Sequence, residues 1–545
     1  MSGRQQMVQP IFILPEGVSR NTGRRAQKQN IAAAKAVAEA IRTTLGPKGM
    51  DKMIVDSLGD ITVTNDGVTI LDSMNIEHPA GKMLVAISKT QDTEIGDGTT
   101  TAAILAGELL KEAETLLDQH VHPTIIAQGY RLAQISAMEK LGRIANDISI
   151  KDETILNNIA QTAMTGKNVE ASKEYLSDIA VDAIKCVYND KTKTIDLDSI
   201  KIEKKEGEAT ENSYLIKGLV IDKERVHPRM PESVKDAKIA ILNVPLEIKG
   251  PETDAQIRIT DPSQLQDFLD QEENTLKKMV ETIQKAGANV VFCQKGIDDI
   301  AQHYLAKKEI MTIRRVKKSD IEALVKATGG SVVNTLSDLS AEELGYAKSV
   351  EEKKISDESM IFVEGCLDPR AVTILIRGGT EHVTDEIVRA MEDAIGGISA
   401  AIEKGKYVYG GGAVEEELAR ELRNYAQKIG GKQQLAINGF ANALEIIPKT
   451  LSETTGVDPM DMIVALRAEH EKEKTSAGID VFGNKIGDMK KLGVVEPMKI
   501  KTQAIISASE VAQLILRIDD VIVAGKSEQE APPQGMPPGM MPPGM

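Results

Sequence analysis

A multidomain protein of mixed α and α/β class is predicted by three observations. The 545 residues exceed a single typical core, and 41% of them are hydrophobic, enough to fill two to four domains. Helical spacing of apolar residues dominates the first part of the chain, to about residue 145, and returns after Gly378-Gly379. Between them, from Tyr214, short β-rich runs alternate with helices. An α, α/β, α order is what results if both chain ends build one mainly α-helical domain and the middle is inserted into it.

Composition narrows the function. Lys and Arg number 66 and Asp and Glu 82, giving a formal charge of -16, which argues against nucleic acid as a main partner. Tryptophan is absent and aromatics make up 3%, so a stacking platform for single strands is not expected. Cys186, Cys293 and Cys366 lie far apart without a Cys-x-x-Cys, which fits a reducing cytoplasm rather than a disulfide framework or a thiolate zinc site. The apolar stretch Ile11 to Leu14 is too short for a signal sequence, and no apolar run reaches about 18 residues, so no membrane span is expected. His120 and His122, two apart on a helix, would face different sides and make poor metal ligands.

In chain order, residues 24–45 form the first helix, with Ile31, Ala34, Ala38, Ile41 and Leu45 on one stripe. In Leu45-Gly46-Pro47-Lys48-Gly49 the glycine-bearing turn suits either approach to a phosphate or a plain helix C-cap. Met53-Ile54-Val55 and Ile61-Thr62-Val63 flank Ser57 to Asp60 as in a short hairpin, and Asn65-Asp66-Gly67 supplies a further turn. Gly96-Asp97-Gly98-Thr99-Thr100-Thr101 then opens a helix over 99–118. Its glycines permit positive φ and a close ligand, the helix start offers unpaired N–H groups to an anion, and Asp97 is placed to hold a hard cation such as Mg2+. Simple capping by Asp97 explains the same residues.

After Pro123 another helix carries Ile125, Ile126, Leu132 and Ile135. Lys167, in Thr165-Gly166-Lys167, reads on its own as a surface lysine. Strands are expected at 214–221, 238–244, 289–293, 311–316 and 372–377. A long helix starts at Pro262, carries Leu276, Val280 and Ile283, and ends at Gly287. Ahead of it, Glu247 to Asp261 with Ile257 and Ile259 reads as a projecting segment or as an exposed loop. Asp393 lies opposite the stripe through Met391 and Ile395, the place of a solvated carboxylate. Gly410-Gly411-Gly412 precedes amphipathic helices running to about 525. Gly525-Lys526-Ser527 fails as a Walker A end, because Asp520 stands where a glycine is required. The proline, glycine and methionine of Ala531 to Met545 predict a disordered tail.

Several of these motifs together carry a family resemblance. Thr43 to Lys52, Gly59-Asp60 with Thr64-Asn65-Asp66-Gly67, Gly96 to Thr101, Gly410 to Ala413 and Arg517-Ile518-Asp519-Asp520 resemble, in order, the archaeal group II chaperonin family over roughly residues 10–525. The resemblance implies ATP-driven folding of non-native client proteins inside a closing chamber. That chamber is two stacked rings of eight or nine identical or paralogous subunits. It further implies an equatorial domain from 1–150 and 406–526, an intermediate domain from 151–220 and 372–405, and an apical domain at 221–371. A lid protrusion would occupy about 245–285, with Ile257 and Ile259 as lid or client contacts, and 527–545 would be the tail.

Site roles follow from the same resemblance. Leu45, Gly46 and Pro47 resemble the turn beside the nucleotide, and Gly98, Thr99, Thr100 and Thr101 its phosphate cradle, with Asp97 holding Mg2+. Asp393 matches the hinge aspartate that positions the attacking water, with Asp60 close by, although Met391 and Glu392 depart from the family's usual residues. Lys167 resembles a loop lysine that senses the γ-phosphate, and Gly411, Gly412 and Glu496 would line the base and ribose end. The competing readings are a soluble ATP-dependent phosphotransferase and an ATP-independent holding protein.

Overall fold

The fold was taken from a computed structural model, which describes residues 19–55, 59, 61–74, 76–167, 169–248, 262–355, 358–366 and 371–523. Asp60, Ile257, Ile259 and the tail from Ala531 lie outside the described residues. In chain order the helices are α1 (Gly23–Arg42), α2 (Gly67–Ser73), α3 (Pro79–Ile95), α4 (Thr99–Asp118), α5 (Pro123–Ile144), α6 (Glu153–Met164), α7 (Lys173–Val187), α8 (Pro262–Ala286), α9 (Asp299–Lys307), α10 (Lys318–Thr328), α11 (Glu381–Lys404), α12 (Ala413–Ile429), α13 (Gly431–Leu444), α14 (Ile446–Thr455), α15 (Pro459–His470), α16 (Met489–Leu492) and α17 (Met498–Leu516).

One core is built by both ends of the chain. The α1 stripe buries Ile31, Ala34, Ala38 and Ile41, and α4 buries Ala102 to Leu105, Leu109 and Leu110 around most of its circumference. A helix apolar on nearly every side belongs at the centre of a core. Leu418, Leu422, Phe440, Ile505 and Ile515 of α12, α13 and α17 join the same cluster. Tyr130 on α5 donates its hydroxyl to the Leu109 carbonyl at 2.6 Å and meets the Phe440 ring edge-on, so the polar end of a buried aromatic is satisfied. The two ends are also stitched by an antiparallel strand pair, Ser19–Thr22 with Asp520–Val523, and by an Arg20–Asp520 ion pair at 2.5 Å.

A second core lies against it. Here α6, α7 and α11 pack over a three-stranded sheet in which Val372–Gly378 runs parallel to Ile200–Glu206 and antiparallel to Tyr214–Ile216. The middle of the chain forms a larger mixed sheet, with Met311–Ile313, Val290–Cys293, Ser233–Leu242, Gly345–Ile355, Glu358–Cys366 and Gly218–Ile221 side by side in that order. Helix α10 covers one face through Ile321 and Leu324, while α8 and α9 cover the other through Leu276, Val280, Ile283 and Leu305.

Two expectations are corrected. The last third is not helical throughout: Ala477–Asp480 and Lys485–Asp488 form a hairpin, and Val495–Pro497 pairs with Lys406–Tyr409. Strands of three or four residues are too short to set up a period of their own, and the cross-strand pairing that holds them is not local. His120 and His122 lie in the turn between α4 and α5, where His122 Nδ1 accepts from the Thr124 N–H and caps α5. No described helix is long and apolar enough to cross a membrane.

Candidate nucleotide site

Helices α3 and α4 are joined by only Gly96, Asp97 and Gly98. Gly96 (φ 82°) ends α3 in the left-handed region and Gly98 (φ 81°) begins α4 there, with no side chain capping that start. A Cβ on Gly98 would lie 2.6 Å from Ile500 Cγ2 and 3.0 Å from Gln91 Nε2, so no other residue fits. The Gln91 amide donates to the Asp97 carbonyl at 2.9 Å, and one Asp97 oxygen accepts the Gly98 N–H at 2.6 Å. The open N–H groups of α4, the threonine hydroxyls and the helix dipole together form an anion site.

These residues form one end of a cavity of about 430 Å3. Leu45, Gly46, Pro47, Asp97, Gly98, Thr99, Thr100, Thr101, Lys167, Asp393, Gly411, Gly412 and Glu496 all line it, gathered from six separate stretches of chain. Lys167, after α6, pairs with Asp393, which α11 presents from the second core. Burial raises the Asp393 carboxyl to about 8; Asp97 and Asp66 add to the rise, and Lys167 opposes it. Burial works against the Lys167 ammonium, yet Asp393, Asp97 and Asp66 outweigh it and hold the lysine above its ordinary value.

Gly411 and Gly412 (φ 65° and 77°) open α12, and the Gly411 carbonyl accepts the Ile479 N–H at 2.8 Å. Glu496 is bound by Lys501 at 2.7 Å, and Lys501 is held in turn by Glu415 at 2.9 Å. Burial pushes the Glu496 carboxyl up while Lys501 opposes it.

Sequence reasoning passed over several lining residues. Ile479, Asp480, Val481 and Phe482 from the late hairpin, with Met489, Leu492, Ile447 and Leu451, also line the cavity, and all but Asp480 are apolar. Their signal was the short alternation in the hairpin that the helical texture concealed. Asp66, read only as a turn residue, both caps α2 by accepting the Thr69 N–H at 2.9 Å and lines the cavity. A polar, anion-seeking end and an apolar slot in one cavity have the shape requirements of a nucleotide. Among the described residues no group of three or more His, Cys, Asp or Glu gathers as a metal site. Asp97, beside the start of α4, is the kind of single carboxylate that a Mg2+ ion commonly takes together with phosphates and waters.

The fold and cavity thus define a large multidomain subunit with a nucleotide-shaped site at the junction of two cores. The chain belongs to the TCP-1/cpn60 chaperonin family, whose model matches residues 37–526. Within that family it is an archaeal group II chaperonin subunit, an ATP-dependent protein-folding chaperone. It is 60% identical to a thermosome subunit of Methanopyrus kandleri, over 94% of this chain and 95% of the relative. It is 56% identical to thermosome subunit alpha of Archaeoglobus fulgidus, over 96% and 97% respectively. Among solved structures, the open-state monomer of a group II chaperonin from Methanococcoides burtonii aligns with a TM-score of 0.61 at 45% identity, covering 78% of this chain and all of that one.

Proposed function

We propose that the cavity binds ATP with Mg2+ and hydrolyses it, and that hydrolysis drives enclosure and folding of non-native proteins. One observation carries the reading: the uncapped, glycine-led start of α4 and the Lys167–Asp393 pair, from segments more than 60 residues apart, line a single cavity. Phosphoryl transfer needs mainly alignment and charge neutralisation, and this set of groups supplies both. The α4 N–H groups and Thr99 to Thr101 cradle phosphates. Asp97 would hold Mg2+, which when bound neutralises phosphate charge. The apolar slot at Ile479 and Leu492 takes the base, with Gly411, Gly412 and Glu496 beside it.

Asp393 orients the attacking water. Before nucleotide arrives its carboxylate is paired with Lys167, and a γ-phosphate competes for that ammonium. Binding therefore releases Asp393 for the water and ties the α6 loop to the nucleotide. Among the described residues Asp66 stands as the second carboxylate at this end; Asp60, outside them, keeps its place only as a family expectation.

The division into equatorial (1–150, 406–526), intermediate (151–220, 372–405) and apical (221–371) domains is part of the same proposal. So are the lid at about 245–285 and a cytoplasmic home. Ring assembly is supported by the hairpin Lys52–Val55 with Ile61–Thr64. Met53 faces Val63 and Val55 faces Ile61, and these four apolar side chains are 44–69% exposed in the single subunit, a patch that a neighbouring subunit would cover.

The test is Asp393→Ala. The variant is expected to bind ATP and assemble but hydrolyse poorly, and undiminished turnover would overturn the assignment. Electron microscopy with and without Mg2+ and ATP should show stacked double rings that close; monomers in both samples would refute the assembly.

A further inference from the structure

Residues 64–67 join the first hairpin to α2 and touch three neighbours at once. The Thr64 hydroxyl, 1% exposed, accepts from the Asp66 N–H at 3.1 Å and from Arg389 Nη1 at 3.2 Å. Arg389 sits on α11 one turn before Asp393 and also pairs with Glu386. The Asn65 amide donates to the Gly166 carbonyl at 2.8 Å, one residue ahead of Lys167. Gly67 lies so close to Thr100 that a Cβ would be 2.4 Å from its Oγ1.

The loop bearing Lys167 has a second support. Gly166 (φ 87°) rests its backbone on the first turn, where a Cβ would lie 2.8 Å from both the Gly46 carbonyl oxygen and Pro47 Cα. Nothing larger than glycine allows this approach, so the loop is docked flat, and Asn65 closes the contact from its side. One short segment rooted beside the two-ended core therefore holds the helix of Asp393, the loop of Lys167 and the phosphate helix.

We propose that Thr64 and Asn65 are positioning residues: Asn65 places Lys167 and Thr64 places Asp393, so that both arms of the second core meet the phosphate end together. The proposal rests on the hydrolysis reading above. A hydroxyl shared between an N–H and a guanidinium, and an amide on one carbonyl, act through geometry, and small misplacements of reacting groups cost rate more than affinity.

The test uses the full chain with Mg2+ and ATP. Asn65→Ala is expected to lower kcat about tenfold while KM for ATP moves less than about threefold. Hydrogen exchange at the Gly166 and Lys167 amides should quicken. Combined with Lys167→Ala, it should be no slower than Lys167→Ala alone, because Asn65 acts through that lysine. Thr64→Val, nearly isosteric, should show the same non-additivity with Asp393→Ala, and it decides the matter if Asn65→Ala does not fold. Additive losses, unchanged exchange in the loop, or a raised KM at constant kcat, the mark of direct nucleotide contact, would each overturn the proposal. A wild-type chain without ATPase activity overturns the hydrolysis reading instead, and loop exchange still decides the part of Asn65.

Discussion

Two carboxylates of this chain sit in ion clusters, one buried and one lining the cavity, and are driven in opposite directions. Glu417 on α12, with a side chain 1% exposed, meets Arg420 at 2.8 Å, His470 at 3.1 Å and Lys140 at 3.2 Å. Burial pushes its carboxyl up, but the hydrogen bonds from His470, Arg420 and Lys140 outweigh burial and hold it down to about 2. Among the described residues Asp393 pairs with one cation, Lys167, while Asp97 and Asp66 act against its charge, so burial prevails and pushes its carboxyl up to about 8. The partners of Glu417 come from α5, α12 and α15, which the two-ended core fixes in place. The cation that pairs with Asp393 comes from the loop after α6, beside the cavity. Donors set rigidly around a carboxylate make it structural; too few donors beside a cavity leave it available to a ligand.

Removing each carboxylate tests the contrast. Asp393→Asn is expected to lower kcat by about a hundredfold or more, the scale for a group that handles the reacting proton, and to leave the protein no less stable at neutral pH, because burial already works against that carboxylate. Glu417→Gln should do the reverse, costing about 2 kcal/mol of stability in urea titration, because Lys140 and Arg420 lose a charged hydrogen-bond partner and keep only Glu421, while activity per folded molecule persists. Equal effects on stability from the two variants would erase the distinction.

Acid sharpens it further. The folded carboxyl of Glu417 lies below its ordinary 4.5, so its contribution is full above pH 4.5 and is lost as pH falls through about 2. The stability gap between wild type and Glu417→Gln should therefore close across that window. For Asp393 the sign is opposite: its folded value lies above the ordinary 3.8, so its contribution is full below pH 3.8 and lost as pH rises through about 8. Wild type compared with Asp393→Asn should weaken across that range. The smallest effect is expected of Gly98→Ala, which strains a φ of 81° against Ile500 and Gln91 and should weaken nucleotide binding about tenfold, read by calorimetry.

Much of the site was legible wherever backbone chemistry is local. Gly96 and Gly98 announced a tight joint and a helix starting at Thr99, and α4 spans Thr99–Asp118, as spacing predicted. The hairpin around Met53 and Val63 was equally plain, as was the long helix from Pro262. Asp393 and Lys167 carried no local sign of their own. A lysine after glycine and an aspartate opposite an apolar stripe look like solvated surface, and only the family resemblance singled them out. Asp66 and Asp480 were passed over because each looks like an ordinary turn or strand-end residue until its neighbours are known.

By itself, then, the sequence determined where helices begin and end, which of their faces are apolar, and which glycines and hydroxyls could meet a phosphate. Those properties depend on φ, on side-chain volume and on hydrogen-bond donors within a few residues. The tertiary structure decided that Leu45, Asp97, Lys167, Asp393, Gly411, Ile479 and Glu496 share one cavity. It also decided that one carboxyl is held below its ordinary range while another is pushed above it. Contacts across hundreds of residues arise from packing of whole elements, and the charge state of a buried group follows from how many donors that packing brings to it.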